Sequence, residues 1–98
     1  MNPNPRALES ANGTVEDAAS FFRVSIRTVW RWVKERRLSY WHEGRNLVFG
    51  EEAIIDFRLA NFVTARGVTT GQAREIIRRE WRGHLLLRQS VQREKEAA

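Results

Sequence analysis

The sequence predicts a mainly α fold: two short helices around a tight turn, a two-stranded hairpin, a third helix and a long C-terminal helical extension. Three observations predict it. The stretch TVEDAASFFRVSIRTVWRW, residues 14–32, holds two cap signals, Thr14 and Ser25, each followed by apolar residues at helical spacing. Two aromatic and β-branched runs, SYWHE and LVF, then flank Gly44-Arg45-Asn46. Beyond residue 70, apolar positions recur with the period of a helix. A helix-turn-helix followed directly by a hairpin is a winged helix-turn-helix.

Residues 1–13 contain Pro3, Pro5, three asparagines and Gly13, with little apolar content, and predict a disordered lead-in. Thr14 and Asp17 form a capping pair for a first helix over residues 14–22. Ala18 and Ala19 are the small residues a close helix crossing needs, and Phe22 and Val24 bracket the turn. Ser25 caps a second helix over residues 25–36. Val29, Trp32 and Val33 share its inner face; Ser25, Ile26, Arg27, Trp30, Arg31 and Lys34 share its outer face. Trp32 therefore belongs to the core. Trp30 lies between Arg27 and Arg31, where an indole either follows a sugar-phosphate backbone and donates its N–H to a phosphate, or packs on a neighbouring strand or partner.

Leu38 reads as an anchor into the core. Residues 39–43 and 47–49 are the hairpin strands, and Gly44 supplies the positive φ of the turn. Arg45 and Asn46 stand at the predicted tip, suited to a minor groove or its flanking phosphates. His42 falls on a strand and is expected in solvent. A third helix spans residues 51–62, with Glu51 and Glu52 matching its N-terminal dipole. It carries two apolar stripes, Ile54–Phe57 and Ile55–Leu59–Phe62, so both its sides should be covered.

Residues 63–71 read as a connection, and Thr69 with Gln72 has capping-box spacing. A fourth helix then runs over residues 70–94. Ala73, Ile76, Ile77, His84, Leu87 and Val91 share one face, widened by Trp81 and Leu85. Glu80 interrupts the stripe, and Gly83 costs about 1 kcal/mol of helix propensity. Fewer than three clean heptads exclude a regular coiled coil. The helix either folds back on Ile55, Leu59 and Phe62 or pairs with another chain. Its length, basic character and apolar width favour the second, with Ile77, Trp81, Leu85, Leu87 and Val91 as the oligomerisation surface. The expected organisation is a lead-in (1–13), a winged domain (14–62), a linker (63–70) and an assembly helix (71–98).

A chain of 98 residues with 42% hydrophobic content supports one small domain, not two independent cores. With no cysteine and two histidines, no disulfide, metal site or cofactor is expected. No apolar run reaches the roughly 20 residues of a membrane span, and the N-terminus lacks an apolar signal core, so no membrane partner and a cytoplasmic, nucleoid-associated location are expected. No nucleophile–base set, phosphate-cradling glycine loop or carboxylate cluster points to an enzyme. The net charge of +5 favours a polyanionic partner. Its distribution is more telling: Arg23, Arg27, Arg31, Lys34, Arg36, Arg37 and Arg45 face only Glu35 and Glu43 in residues 23–45. The rest of residues 1–61 is acidic.

These residues resemble the MerR-like winged helix-turn-helix, in particular the excisionase-type DNA-binding domains. The resemblance lies in TVEDAA at the first helix, VSIRTVWRWVKERRL through the second, the glycine of HEGRN in the wing, and F-x-E-E-A-I opening the third helix. It covers about half the chain. Arg23 stands where that family usually has Gly in the turn, and Gly50 where many members have a polar or basic cap. The extension beyond Val63 is outside the excisionase-type pattern. The resemblance implies DNA binding, in settings as different as excision, transcription regulation, chromosome anchoring and phage DNA packaging by terminase small subunits.

The expected function is sequence-specific binding of double-stranded DNA. The second helix would enter the major groove with Arg27 and Arg31 on base edges. Ser25, Ile26, Thr28, Trp30 and Lys34 would meet phosphates or flanking bases, Arg36 and Arg37 would extend the basic surface, and Arg45 and Asn46 would hold the neighbouring groove. Homo-oligomerisation, or cooperative assembly on DNA, is expected with it. Two alternatives stay open: a phage packaging subunit assembling through the fourth helix, and a protein–protein adaptor using exposed Trp30, Trp41 and Trp81.

Overall fold

The computed structural model describes residues 11–62 and 66–97, with side chains through Arg88 in the last helix. Residues 1–10 of the predicted lead-in, the first three residues of the 63–71 connection and the Val91 side chain lie outside the described residues. The elements are α1 (Val15–Phe22), α2 (Ile26–Lys34), β1 (Trp41–Glu43), β2 (Asn46–Val48), α3 (Glu51–Asn61) and α4 (Thr70–Ala97). This is a winged helix-turn-helix with a C-terminal helix. Among the described residues no helix is long and apolar enough to cross a membrane.

Local chemistry explains where α1 and α2 begin and end. Thr14 and Asp17 close a full capping box: the Thr14 hydroxyl accepts from the Asp17 N–H at 3.2 Å, and the Thr14 N–H donates to the Asp17 carboxylate at 2.8 Å. At the other end the Val24 N–H reaches the Ala19 carbonyl (2.9 Å) and the Arg23 N–H reaches the Ser20 carbonyl (3.3 Å). This is a Schellman motif with Arg23 in the left-handed position, φ 57°. The motif recurs after α2: Arg37 N–H to Trp32 carbonyl, Arg36 N–H to Val33 carbonyl, and Arg36 at φ 59°. The second helix therefore ends at Lys34, short of the residue 36 expected, because the chain turns left-handed there.

The hairpin is tighter than predicted. Glu43 pairs with Asn46, His42 with Leu47 and Trp41 with Val48, leaving Gly44 and Arg45 as a two-residue turn. Positive φ at Gly44 alone of that pair (62°) suits a II′ turn, whose twist matches the strands. Asn46 thus belongs to β2 and not to the tip. Beyond β2, Phe49 bridges back to Gly13 through two backbone hydrogen bonds of 2.8 and 2.9 Å. Ala11–Gly13, expected in the lead-in, are thus built into the fold ahead of Thr14.

One core joins all the helices. Val29, Trp32, Leu38, Phe49, Ile54 and Phe57 are buried with Ala18 and Phe22 of α1. Aromatic rings dominate it: Trp32 lies 4.5 Å from Phe57, and Phe22 meets both edge-on at 5.6 and 5.3 Å. Trp81 of α4 is fully buried in the same core, 5.1 Å from Phe21, and its indole N–H donates to the Ala11 carbonyl at 2.6 Å. Its ring lies so close over Gly13 that a Cβ there would sit 2.4 Å from it.

This corrects the assembly surface expected of the fourth helix. Ile77 and Trp81 are buried within their own chain, and Leu85 packs against the same core. Ile77 and Trp81 are thus spent within the chain, and Leu85 is partly so. The buried face of α4 follows Ala73–Ile77–Trp81 at i, i+4 spacing, while Ile76 and Leu87, expected on that face, point outward, Leu87 with 68% exposure. Trp81 likewise leaves the set of exposed tryptophans.

Charge fixes α4 as firmly as apolar packing. Arg74 bonds Asp56 at 2.7 Å and Glu52; Arg78 bonds Glu52 at 2.7 Å and Glu51 at 3.0 Å; Arg82 grips Glu51 with a two-point fork at 2.9 and 2.9 Å. Rising numbers on α4 meet falling numbers on α3, so the helices run antiparallel through a ladder of ion pairs. Glu51 is only 6% exposed, and a carboxylate so placed needs two cationic partners. Arg88 adds a bond to Asp17 of α1 at 2.6 Å.

Candidate nucleic-acid interface

The outward face of α2 follows from what the inward face buries. Val29, Trp32 and Val33 point into the core, so Arg27, Arg31 and Lys34 point directly away from it. Ile26 and Trp30 lie along one flank of that row, 45% and 49% exposed. Among the described residues, Arg27, Arg31 and Lys34 have no carboxylate within ion-pair distance. Three unneutralised cations on one short helix make a surface that attracts a polyanion.

The other candidates divide. Ser25 is the N-cap of α2: its Oγ accepts from the Thr28 N–H at 3.1 Å and lies 3.0 Å from the Thr28 hydroxyl. Both side chains thus help to fix the first turn of α2. Arg36 is exposed at the left-handed turn. Arg37 is held differently. It donates to the Asn61 side chain at 2.5 Å, pairs with Glu35 at 3.5 Å and lies 5.7 Å over the Phe57 ring. It fastens the exit of α2 to α3, and its role is structural in this arrangement.

On the wing, all of β1 faces solvent, whereas Leu47 and Val48 of β2 are buried. That anchors the hairpin by one strand and projects Arg45, which is exposed at the turn with no ion-pair partner among the described residues. Asn46 is exposed beside it, opposite Glu43. His42 stacks edge-on to Tyr40 at 5.7 Å and is exposed. Trp41 lies over Gly50, where a Cβ would approach its ring to 2.8 Å; this close contact explains the glycine at the cap of α3.

The cations of α4 contrast with those of α2. Arg74, Arg78, Arg82 and Arg88 are paired with acids of α1 and α3. The neighbouring carboxylates hold Arg74, Arg78 and Arg82 more firmly protonated, the Asp56 hydrogen bond acting most on Arg74, Glu52 on Arg78 and Glu51 on Arg82. The net positive charge of the molecule is thereby concentrated at α2 and the wing. Sequence reading missed this ladder. Its signal was the match of Arg74-Arg78-Arg82 spacing to Glu51, Glu52 and Asp56.

No cluster of three potential metal ligands occurs among the described residues. Residues 14–61 match a family model described as a helix-turn-helix domain. No curated protein and no solved structure matches the chain.

Proposed function

Residues 14–61 belong to the helix-turn-helix domain family, an excisionase-like DNA-binding family, and from that premise we propose that this DNA-binding protein reads a specific double-stranded sequence. In this reading α2 lies in the major groove. Arg27 and Arg31 contact base edges, Lys34 and Arg36 meet phosphates, and Arg45 with Asn46 on the wing engages the adjacent groove or its backbone. The observation that carries it is the row of unneutralised cations on the outward face of α2, in a molecule where Arg74, Arg78, Arg82 and Arg88 of α4 pair with acids of the same chain. An adaptor without DNA has less support, since Trp81 is core and a basic helix face suits a polyanion better than a neutral partner.

The role we propose is that of a small transcription regulator or recombination directionality factor. The packaging alternative drew on assembly through the fourth helix; of that surface Ile77 and Trp81 are buried in the chain's own core, whereas Leu87 is exposed. Ile76, Leu86 and Leu87 are the large apolar side chains that α4 leaves exposed among the described residues, and the proposal puts any self-association there. Selection of bound duplexes from a random pool tests the proposal and yields the site. On that site Arg27→Ala or Arg31→Ala should lose about 1–3 kcal/mol of discrimination against a changed base pair, while Lys34→Ala should weaken all sequences alike. Full discrimination by both arginine variants would refute the base-reading role.

A further inference from the structure

We infer that Ile26 and Trp30 form an apolar reader of the thymine C5-methyl group, so that the protein's target carries thymine beside the bases contacted by arginine. The inference rests on the base-reading role of α2 proposed above. At the leading end of the helix, Ser25 Oγ accepts from the Thr28 N–H and shares a hydrogen bond with the Thr28 hydroxyl, which ties both side chains to the helix start. In the first turn Ile26 stands exposed beside Arg27, and one turn later Trp30 stands on the same side as Ile26, i and i+4. Both are about half exposed although α2 has an apolar face available inside. They adjoin Arg27 and Arg31, so any duplex that satisfies the guanidinium groups also meets this pair.

The major groove has one apolar feature on unmodified bases, the methyl group of thymine. An isoleucine backed by an indole face offers the matching surface. Trp30 then acts through its ring face and not through its N–H.

The test uses the full chain and its selected duplex, with each thymine replaced singly by deoxyuridine, which removes only the methyl group. At one or two positions the wild-type protein should lose about three- to fivefold in affinity, the size of one buried methyl. Ile26→Ala or Trp30→Ala should bind the thymine duplex more weakly and show no further loss on the uracil duplex. Trp30→Phe, which keeps an apolar ring but has no N–H, should retain the sensitivity. Both positions are exposed, so the variants leave the core intact. A site without thymine, uracil substitution without effect at every position, or a Trp30→Phe variant equally weakened on both duplexes would overturn the inference while leaving sequence-specific binding standing. Failure to bind any duplex would overturn both.

Discussion

Arg23 and Arg36 occupy the left-handed position of two successive Schellman motifs. A side chain in that conformation costs roughly 1–2 kcal/mol, part of which glycine returns through its greater freedom in the unfolded chain. Arg23→Gly and Arg36→Gly should each stabilise the fold by about 0.5–1 kcal/mol in thermal melting, and Arg36→Gly should at the same time weaken DNA binding. The strain at Arg23 was legible only through the resemblance, which puts glycine at that turn position. That at Arg36 was not, because the helical pattern of α2 has no apolar break to mark its end. Gly13 was illegible for a different reason. Its constraint comes from Trp81 and Phe49, residues remote in sequence, and no local pattern encodes a contact of that range. Gly13→Ala should cost about 1–3 kcal/mol, since the new methyl overlaps the Trp81 ring.

At the scale of elements, the helices, the wing and the inward and outward faces of α2 followed from caps and periodicity. The placement of α4 did not. Each of its faces reads locally as an ordinary charged or apolar surface, and only the pairing with α3 distinguishes them. The ladder makes that docking dependent on pH. Glu52 is held below its ordinary value of 4.5, chiefly by the hydrogen bond from Arg78, with burial opposing and Arg74 assisting. A lowered carboxylate stabilises the fold above its unfolded value and ceases to do so as the pH falls through the folded one. His84 on α4 is held below 6.5 chiefly by burial, against the attraction of Asp17 and with repulsion from Arg88. The unfolded chain therefore takes up that proton first, and stability falls as the pH drops below about 6.5. Melting temperature should decline in two stages, below about 6.5 and again below about 4.5, and His84→Asn should remove the first. Glu51→Gln should cost about 2 kcal/mol at neutral pH, because Arg78 and Arg82 lose a charged partner while remaining partly hydrated.

For the whole molecule, the division of charge is the main consequence of the fold. Acids of α1 and α3 pair with Arg74, Arg78, Arg82 and Arg88 of α4, whereas Arg27, Arg31 and Lys34 of α2 and Arg45 of the wing have no ion-pair partner among the described residues. The sequence showed the basic stretch but not that the later arginines were spent within the chain. The most direct test is the salt dependence of binding to the selected duplex, measured by fluorescence anisotropy. Wild-type affinity should fall linearly in log K against log salt, and Lys34→Ala or Arg45→Ala should each reduce the slope by about 1, whereas Arg74→Ala should leave it unchanged. Binding insensitive to salt, or a slope reduced by Arg74→Ala and not by the α2 and wing variants, would contradict the account.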